Sequence, residues 1–378
     1  MHRRQYLAAL GAGGLGALAG CAGRRPPSGS GDGTTADGTP TATTVGTTPT
    51  GAFDLPIPDA EIARVVPKDR IAAITEPAFA ADWSGADHDL PADGEVIGVE
   101  RDGSARAYPL AVLDWHEVVN DTFAGPLLVT FCPLCGSGVT GVRRVEGEET
   151  TFGVSGRLWK SDLVMYDDRT DSLWSQILAQ AIRGPRTGDR IELVPSTLTS
   201  WGAWREEHPE TEVLLPPPLS GTVGASDSVQ NYSRDPYAGY GEIERIGVGY
   251  NDVDDDRLHP KALVVGVEHG GAARAYPFTA VENAGGVVND DVGGLPVVVA
   301  TDPGGSLVAY ERTVDGDSLR FERADDRHLR AGGSRWRVVS GRAVDGPLEG
   351  ARLRRANDVS PEFWFAWAQF HPDTEVYG

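Results

Sequence analysis

The chain has 378 residues, of which 55 are acidic and 34 basic, so its formal net charge is −21. This charge excludes nucleic acid as the main partner and opposes docking on anionic lipid, since both surfaces are bound through basic side chains. With 40% hydrophobic and 24% charged residues, the composition is that of a globular protein. The 48 glycines and 26 prolines predict many turns, which favours β structure.

The positive charge is almost entirely arginine, because lysine occurs only at Lys68, Lys160 and Lys261. An acidic composition with so few lysines is typical of proteins adapted to high salt, where screening suppresses charge repulsion. A genome rich in G and C, which favours Arg and Asp codons, is the alternative explanation. We expect a halophilic protein.

The first 21 residues have the pattern of an export signal. Arg3 and Arg4 precede an uncharged run, 6–20, that is too short to span a bilayer. The Arg-Arg-Gln-Tyr-Leu start resembles a twin-arginine signal, and Leu-Ala-Gly-Cys at 18–21 resembles a lipobox, which directs lipidation of Cys21. The sequence therefore predicts an extracytoplasmic protein, held by lipid at the outer face of the cytoplasmic membrane. Residues 22–52, rich in Gly, Ser, Thr and Pro, are expected to form a disordered tether.

The remainder of the chain contains an internal repeat with a period of about 165 residues. Val-Ile-Gly-Val-Glu at 96–100 returns as Val-Val-Gly-Val-Glu at 264–268, and Ala-Arg-Ala-Tyr-Pro at 105–109 returns unchanged at 273–277. Two further matches follow in the same order along the chain. Residues 118–121 match 287–290, and Trp201, Trp204, His208 and Pro209 match Trp364, Trp367, His371 and Pro372. We infer a first unit at 53–215, a connector at 216–257 and a second unit at 258–378.

Each unit is predicted to contain short strands and few helices. A helix is expected after Pro109, and apolar runs at 127–131, 139–145, 150–154, 163–166 and 191–194 have the length of strands. A tryptophan-containing helix, capped in the second unit by Ser360, is expected to close each unit. The predicted fold class is β-rich α+β, with two homologous units of mixed strands.

The first unit carries the motif with the most specific chemistry, Cys-Pro-Leu-Cys-Gly at 132–136. Two cysteines separated by two residues on a turn direct both sulfurs toward one metal ion. The second unit has Thr301 and Gly304 in place of the cysteines, so we expect it to be a degenerate scaffold copy. His116, which the second unit also lacks, and Met165 are the candidate further ligands. Thiolates with an imidazole and a thioether favour copper, with zinc or no metal as the alternatives.

Two other interpretations of the cysteine pair remain open. A C-x-x-C motif also serves reversible thiol–disulfide exchange, and outside the cytoplasm it can form a structural disulfide. The leading prediction is a metal-binding lipoprotein for electron transfer or metal delivery. A thiol oxidoreductase and a non-catalytic binding or structural lipoprotein are the alternatives, with no protein partner identified. Ser155, Lys160 and Asp162 are the further residues expected to line the site.

Several longer motifs resemble a known family. The segments Phe-Cys-Pro-Leu-Cys-Gly-Ser-Gly at 131–138, Phe-Gly-Val-Ser-Gly-Arg-Leu-Trp at 152–159, Asp-Leu-Val-Met-Tyr-Asp at 162–167 and Ser-Leu-Trp-Ser-Gln at 172–176 are similar to the uncharacterised domain of unknown function 3179. Arg-Asp-Pro-Tyr at 234–237 also agrees with this family. The resemblance extends from about Pro67 to the end of the chain and implies no particular activity.

Overall fold

A computed structural model describes residues 53–225, 230–248 and 255–378. The predicted export signal, the lipidated Cys21 and the tether at 22–52 lie outside these residues. Strands account for 40% of the chain and helices for 11%, and the strands form a six-bladed β-propeller. The predicted α+β class, with each unit closed by a tryptophan helix, is therefore wrong.

The described part of the chain holds four α-helices, each of six or seven residues: α1 Leu110–His116, α2 Trp201–Glu207, α3 Phe278–Asn283 and α4 Trp364–Phe370. Among these helices, none is long and apolar enough to cross a membrane.

The strands before residue 226 are β1 Ala63–Arg64, β2 Ile74–Glu76, β3 Phe79–Ala80, β4 Glu95–Arg101, β5 Ser104–Pro109, β6 Val118–Thr122, β7 Pro126–Cys132, β8 Ser137–Gly141, β9 Arg144–Val145, β10 Glu148–Glu149, β11 Phe152–Trp159, β12 Asp162–Asp167, β13 Leu173–Ser175, β14 Gln180–Arg183, β15 Ser196–Ser200, β16 Glu212–Leu214 and β17 Gly221–Thr222. Those of the second half are β18 Leu263–His269, β19 Ala272–Pro277, β20 Val287–Val292, β21 Leu295–Thr301, β22 Leu307–Glu311, β23 Thr313–Val314, β24 Asp317–Ser318, β25 Glu322–Arg323, β26 His328–Ala331, β27 Ser334–Arg337, β28 Glu362–Phe363 and β29 Glu375–Val376.

Six sheets of three or more strands make up the blades in the described part of the chain. In the first half their strand orders are β15-β4-β5-β16-β3, β17-β2-β6-β7-β8 and β1-β11-β12-β13-β14. In the second half the orders are β28-β18-β19-β29, β20-β21-β22 and β25-β26-β27. Neighbouring strands in one sheet often come from distant parts of the chain, as β15 and β4 do. Such pairings leave no local signal in the sequence, and this is why the propeller was not predicted.

The repeated motifs make the same hydrogen bonds in both halves. Tyr108 donates to the Asp121 carboxylate at 2.6 Å, and Tyr276 donates to Asp290 at 2.8 Å. In each half an arginine, Arg106 or Arg274, binds the same aspartate. These matched contacts support the internal duplication, which stays a prediction.

The tryptophan helices lie on the first blade of each half. The Cα of Gly98 on β4 lies directly under Trp204, where an added Cβ would come within 2.4 Å of the indole, and Gly266 on β18 lies in the same way under Trp367. Ser360 does not cap α4, because its hydroxyl accepts from the backbone N–H of Gly138 at 2.6 Å and the helix begins four residues later, at Trp364. The strand predicted at 191–194 is reduced to isolated bridges at Arg190 and Leu193.

Candidate functional site

Cys132 and Cys135 lie at the turn between β7 and β8, and both are free, buried thiols. Gly136 completes this turn with a φ of +64°, a conformation that glycine adopts without a steric penalty. The two S–H groups point the same way and donate to one acceptor, the carbonyl oxygen of Ser161, at 3.6 Å and 3.3 Å. The turn thus directs both sulfurs to a single point in the interior.

Asp162 completes a group of three potential metal ligands. One of its carboxylate oxygens and the two sulfurs all lie within 4.8 Å of one another, and all three residues are buried. Asp162 is placed by the tight turn at Lys160 and Ser161, whose φ angles are +53° and +64°. Its carboxylate accepts from the Ser175 hydroxyl at 2.5 Å, and burial raises its pKa to about 7.

Two further buried acids belong to this neighbourhood. Glu117 follows α1 and Glu362 begins β28; burial raises the pKa of each to about 8, and the charge of Asp162 adds to both shifts. Burial also raises the pKa of the Cys135 thiol, and the charges of Asp162 and Glu362 raise it further. We call these five groups, Cys132, Cys135, Glu117, Asp162 and Glu362, the thiol–carboxyl centre.

Glu362 has an unusual environment within this centre. Its Oε2 atom is buried and has no hydrogen-bond partner among the described residues. A buried carboxyl oxygen without a partner is unfavourable, because it has lost its hydration and gained nothing in exchange.

His116 takes no part in the three-ligand group that the structure brings together. Its Nδ1 atom bonds to the Ala72 carbonyl at 2.7 Å, and its Nε2 atom bonds to the Tyr232 hydroxyl at 2.9 Å. Burial lowers the pKa of His116, so the ring is neutral: Nδ1–H donates and Nε2 accepts. Both ring nitrogens are engaged in joining α1 to the segment before β2 and to the connector.

The remaining predicted site residues also serve the fold, namely Met165, predicted as a ligand, and Ser155 and Lys160, predicted to line the site. Met165 is buried on β12, opposite Val154 and Trp174, in the hydrophobic cluster that contains both cysteines. Ser155 donates its hydroxyl to the Val164 carbonyl at 2.5 Å. The Lys160 ammonium lies over the rings of Phe53 and Trp159. Asp162 is the predicted lining residue that joins the two sulfurs in the three-ligand group.

A cavity of about 850 Å³ lies beside the cysteine turn, and Pro133 and Gly136 form part of its wall. The connector covers it with Tyr237 and Tyr240. The connector is held there by Lys261, whose ammonium donates to the carbonyl oxygens of Ile243 and Arg245 at 2.7 Å and 2.6 Å. Burial raises the pKa of Tyr237, and the charges of Glu117 and Cys132 raise it further.

Sequence reasoning missed Glu117, Glu362 and Tyr237. The sequence does carry a signal for Glu117, because Asp-Trp-His-Glu at 114–117 is one of the segments in which the two halves differ. Glu362 gave no signal, because it comes from the half that lacks cysteines.

The fold and the centre together define a class: a six-bladed β-propeller with a buried pair of thiols among carboxyl groups. The chain belongs to the family described as "Protein of unknown function (DUF3179)", whose model matches residues 68–374. This range includes every member of the thiol–carboxyl centre. No curated protein and no solved structure matches the chain significantly.

Proposed function

We propose that the protein binds a thiophilic metal ion through Cys132, Cys135 and Asp162. The observation that carries this proposal is the convergence of three buried ligand atoms within 4.8 Å of one another. Burial raises the pKa of the Cys135 thiol and raises that of Asp162 to about 7, and a metal ion displaces such protons and binds the resulting anions. Within the described residues, no basic group contributes to the shifted pKa values of Glu117 and Glu362, so an added cation would be the counter-charge of the centre.

The donor set favours zinc over copper. Zinc binds thiolates and carboxylates together in tetrahedral sites. The case for copper depended on His116 and Met165 as further ligands, and both ring nitrogens of His116 are bonded elsewhere. The two thiolates alone still suit Cu(I), which makes copper the second candidate.

The thiols are poorly arranged for disulfide exchange with another protein. Exchange requires a thiolate that is accessible to its partner, whereas Cys132 and Cys135 are 2% and 0% exposed. Burial and nearby negative charge also hold the pKa of Cys135 well above its usual range. These features disfavour the oxidoreductase alternative, and they suit a site that a metal ion reaches through the neighbouring cavity.

Metal analysis of protein purified without oxygen or chelator tests the proposal. We expect about one zinc or copper ion per chain, and its loss in Cys132→Ser and Cys135→Ser. Met165→Leu is the matched control, since it removes a buried sulfur of the same cluster while keeping nearly the same volume. Wild-type protein that carries no metal, takes up neither ion and contains a Cys132–Cys135 disulfide would refute the proposal.

The proposed location is the outer face of the cytoplasmic membrane, where the protein would act in metal delivery. The support is the arginine pair and the lipobox of residues 1–21. Changing Cys21 to Ser should stop maturation or release the protein from the membrane fraction. A variant that is still processed and membrane-bound would contradict lipidation at this cysteine.

A further inference from the structure

We propose that Glu362, from the second half of the propeller, is the fourth ligand of the metal site in the first half. This inference rests on the proposed metal-binding function and extends it. The site would then hold two thiolates and two carboxylates, and it would join the two halves of the chain.

Backbone hydrogen bonds place Glu362 against the cysteine turn. The N–H of Phe363 donates to the carbonyl oxygen of Cys135 at 2.8 Å, and the N–H of Ser360 donates to that of Gly138 at 3.0 Å. In return, the N–H of Gly138 donates to the Ser360 hydroxyl at 2.6 Å. Bonds on both sides of Glu362 therefore fix its backbone beside the cysteine turn, and its charge acts on the Cys135 thiol.

The side chain of Glu362 is available for a cation. The residue is 4% exposed, and its Oε2 atom has no hydrogen-bond partner in the described part of the chain. Its carboxylate oxygens stand outside the group within 4.8 Å that Cys132, Cys135 and Asp162 form, so ligation would require its side chain to turn toward them. Asp162, the third member of the group, is close enough to Glu362 to act on its ionisation. Coordination would satisfy the unpaired oxygen and offset the repulsion between the two carboxylates.

The other half of the molecule provides an internal comparison. At the corresponding place, the N–H of Ser200 donates to the carbonyl oxygen of Gly304 at 3.1 Å. This bond is the counterpart of the bond from Phe363 to Cys135. The residue in the place of Glu362 is Thr199, whose hydroxyl accepts from Ser306 at 2.8 Å. The turn without cysteines thus faces a satisfied hydroxyl, and the turn with cysteines faces an unsatisfied carboxyl.

Zinc titration of the full-length protein against a competing chelator tests this assignment. We expect Glu362→Gln to weaken zinc binding about tenfold or more, the scale of effect for altered metal surroundings. The number of protons released on binding should also fall by about one. Thr199→Val, at the corresponding place in the other half, should leave zinc affinity unchanged.

The outcomes separate this inference from the proposed function. If Cys132→Ser abolishes binding while Glu362→Gln binds like the wild type, Glu362 is not a ligand and the metal site stands without it. If Cys132→Ser also binds like the wild type, the proposed site itself is wrong. A crystal structure of the zinc-loaded wild type supplies a measurement that does not depend on folding of a variant. A Glu362 oxygen at about 2.0–2.2 Å from the zinc ion supports the assignment, and a water or another residue in that position overturns it.

Discussion

The backbone N–H of Phe363 donates to the carbonyl oxygen of Cys135 across 2.8 Å, and this bond links the last tryptophan helix to the turn that carries both cysteines. Its counterpart joins Ser200 to Gly304 at 3.1 Å. The segment that leads into each tryptophan helix is therefore bonded to a turn of the opposite half. These bonds tie the two halves together, so neither half is a separate unit closed by its own helix.

The metal-free protein should lose stability as the pH rises from about 4 to about 8. The folded-state pKa values of Glu117 and Glu362 are raised to about 8 and that of Asp162 to about 7, whereas the unfolded chain ionises near pH 4. The unfolded state therefore binds fewer protons in this window, and the free energy of unfolding falls, on the order of 4 kcal/mol for each group taken singly.

Denaturant unfolding at pH 5 and pH 8, in molar salt and with chelator, measures this loss. The double variant Glu117→Gln and Glu362→Gln should show a clearly smaller difference between the two pH values, because amides do not ionise. Loading the wild type with zinc should also reduce the difference. Equal pH dependence in all three samples would contradict the assigned pKa shifts.

Replacing Asn120 by Ala should destabilise the fold by about 2–4 kcal/mol. Its side-chain amide donates to the Phe152 carbonyl at 2.8 Å and accepts from the Phe152 N–H at 2.7 Å, which joins two blades. Asn289 makes the same pair of bonds to Phe321 in a less buried position, so Asn289→Ala should cost less. Urea unfolding of the two variants provides the comparison, and a larger loss for Asn289→Ala would be inconsistent with it.

Gly98→Ala should destabilise the protein by about 1–3 kcal/mol, the usual cost of overpacking a buried position. An added Cβ would lie 2.4 Å from Trp204, which is itself 2% exposed. Gly85→Ala is the matched control, because a Cβ at Gly85 meets no atom within 4 Å and the residue has no positive φ. Thermal unfolding should separate the two variants, and similar melting temperatures would argue against the close approach of this indole.

The melting temperature of the wild type should rise between low and molar salt. With a formal charge of −21 the folded chain repels itself, and at 1 M salt the screening length is only about 3 Å. Potassium chloride is the suitable salt, since it has little effect on hydrophobic burial compared with sulfate. A melting temperature that does not depend on salt would remove the argument for adaptation to high salinity.

Local patterns in the sequence predicted local structure well. The runs at 127–131 and 163–166 coincide with β7 and β12, and α1 begins immediately after Pro109. The Cys-Pro-Leu-Cys turn lies between two strands, as its Pro and Gly indicate. These elements depend on residues that are close together in the chain, so their signals are local.

Contacts between residues that are far apart in the chain could not be predicted from the sequence. His116 was selected because the second half lacks it, yet its bonds to Ala72 and Tyr232 involve partners 44 and 116 positions away. Glu362 reaches the cysteine turn from more than 200 residues further along the chain. Nothing in the local sequence specifies which buried polar group completes a site when the partners are brought together only by the closed ring of blades.

The hydrogen bonds between the two halves should keep them associated after the chain is cleaved between them. The connector at 216–257 is the covalent link between the halves, whereas the bonds of Phe363 to Cys135 and of Ser200 to Gly304 do not depend on it. A protease that cuts the connector would leave two fragments that remain associated without a covalent bond. The nicked protein should migrate as a single particle in gel filtration and separate into two pieces only in denaturant.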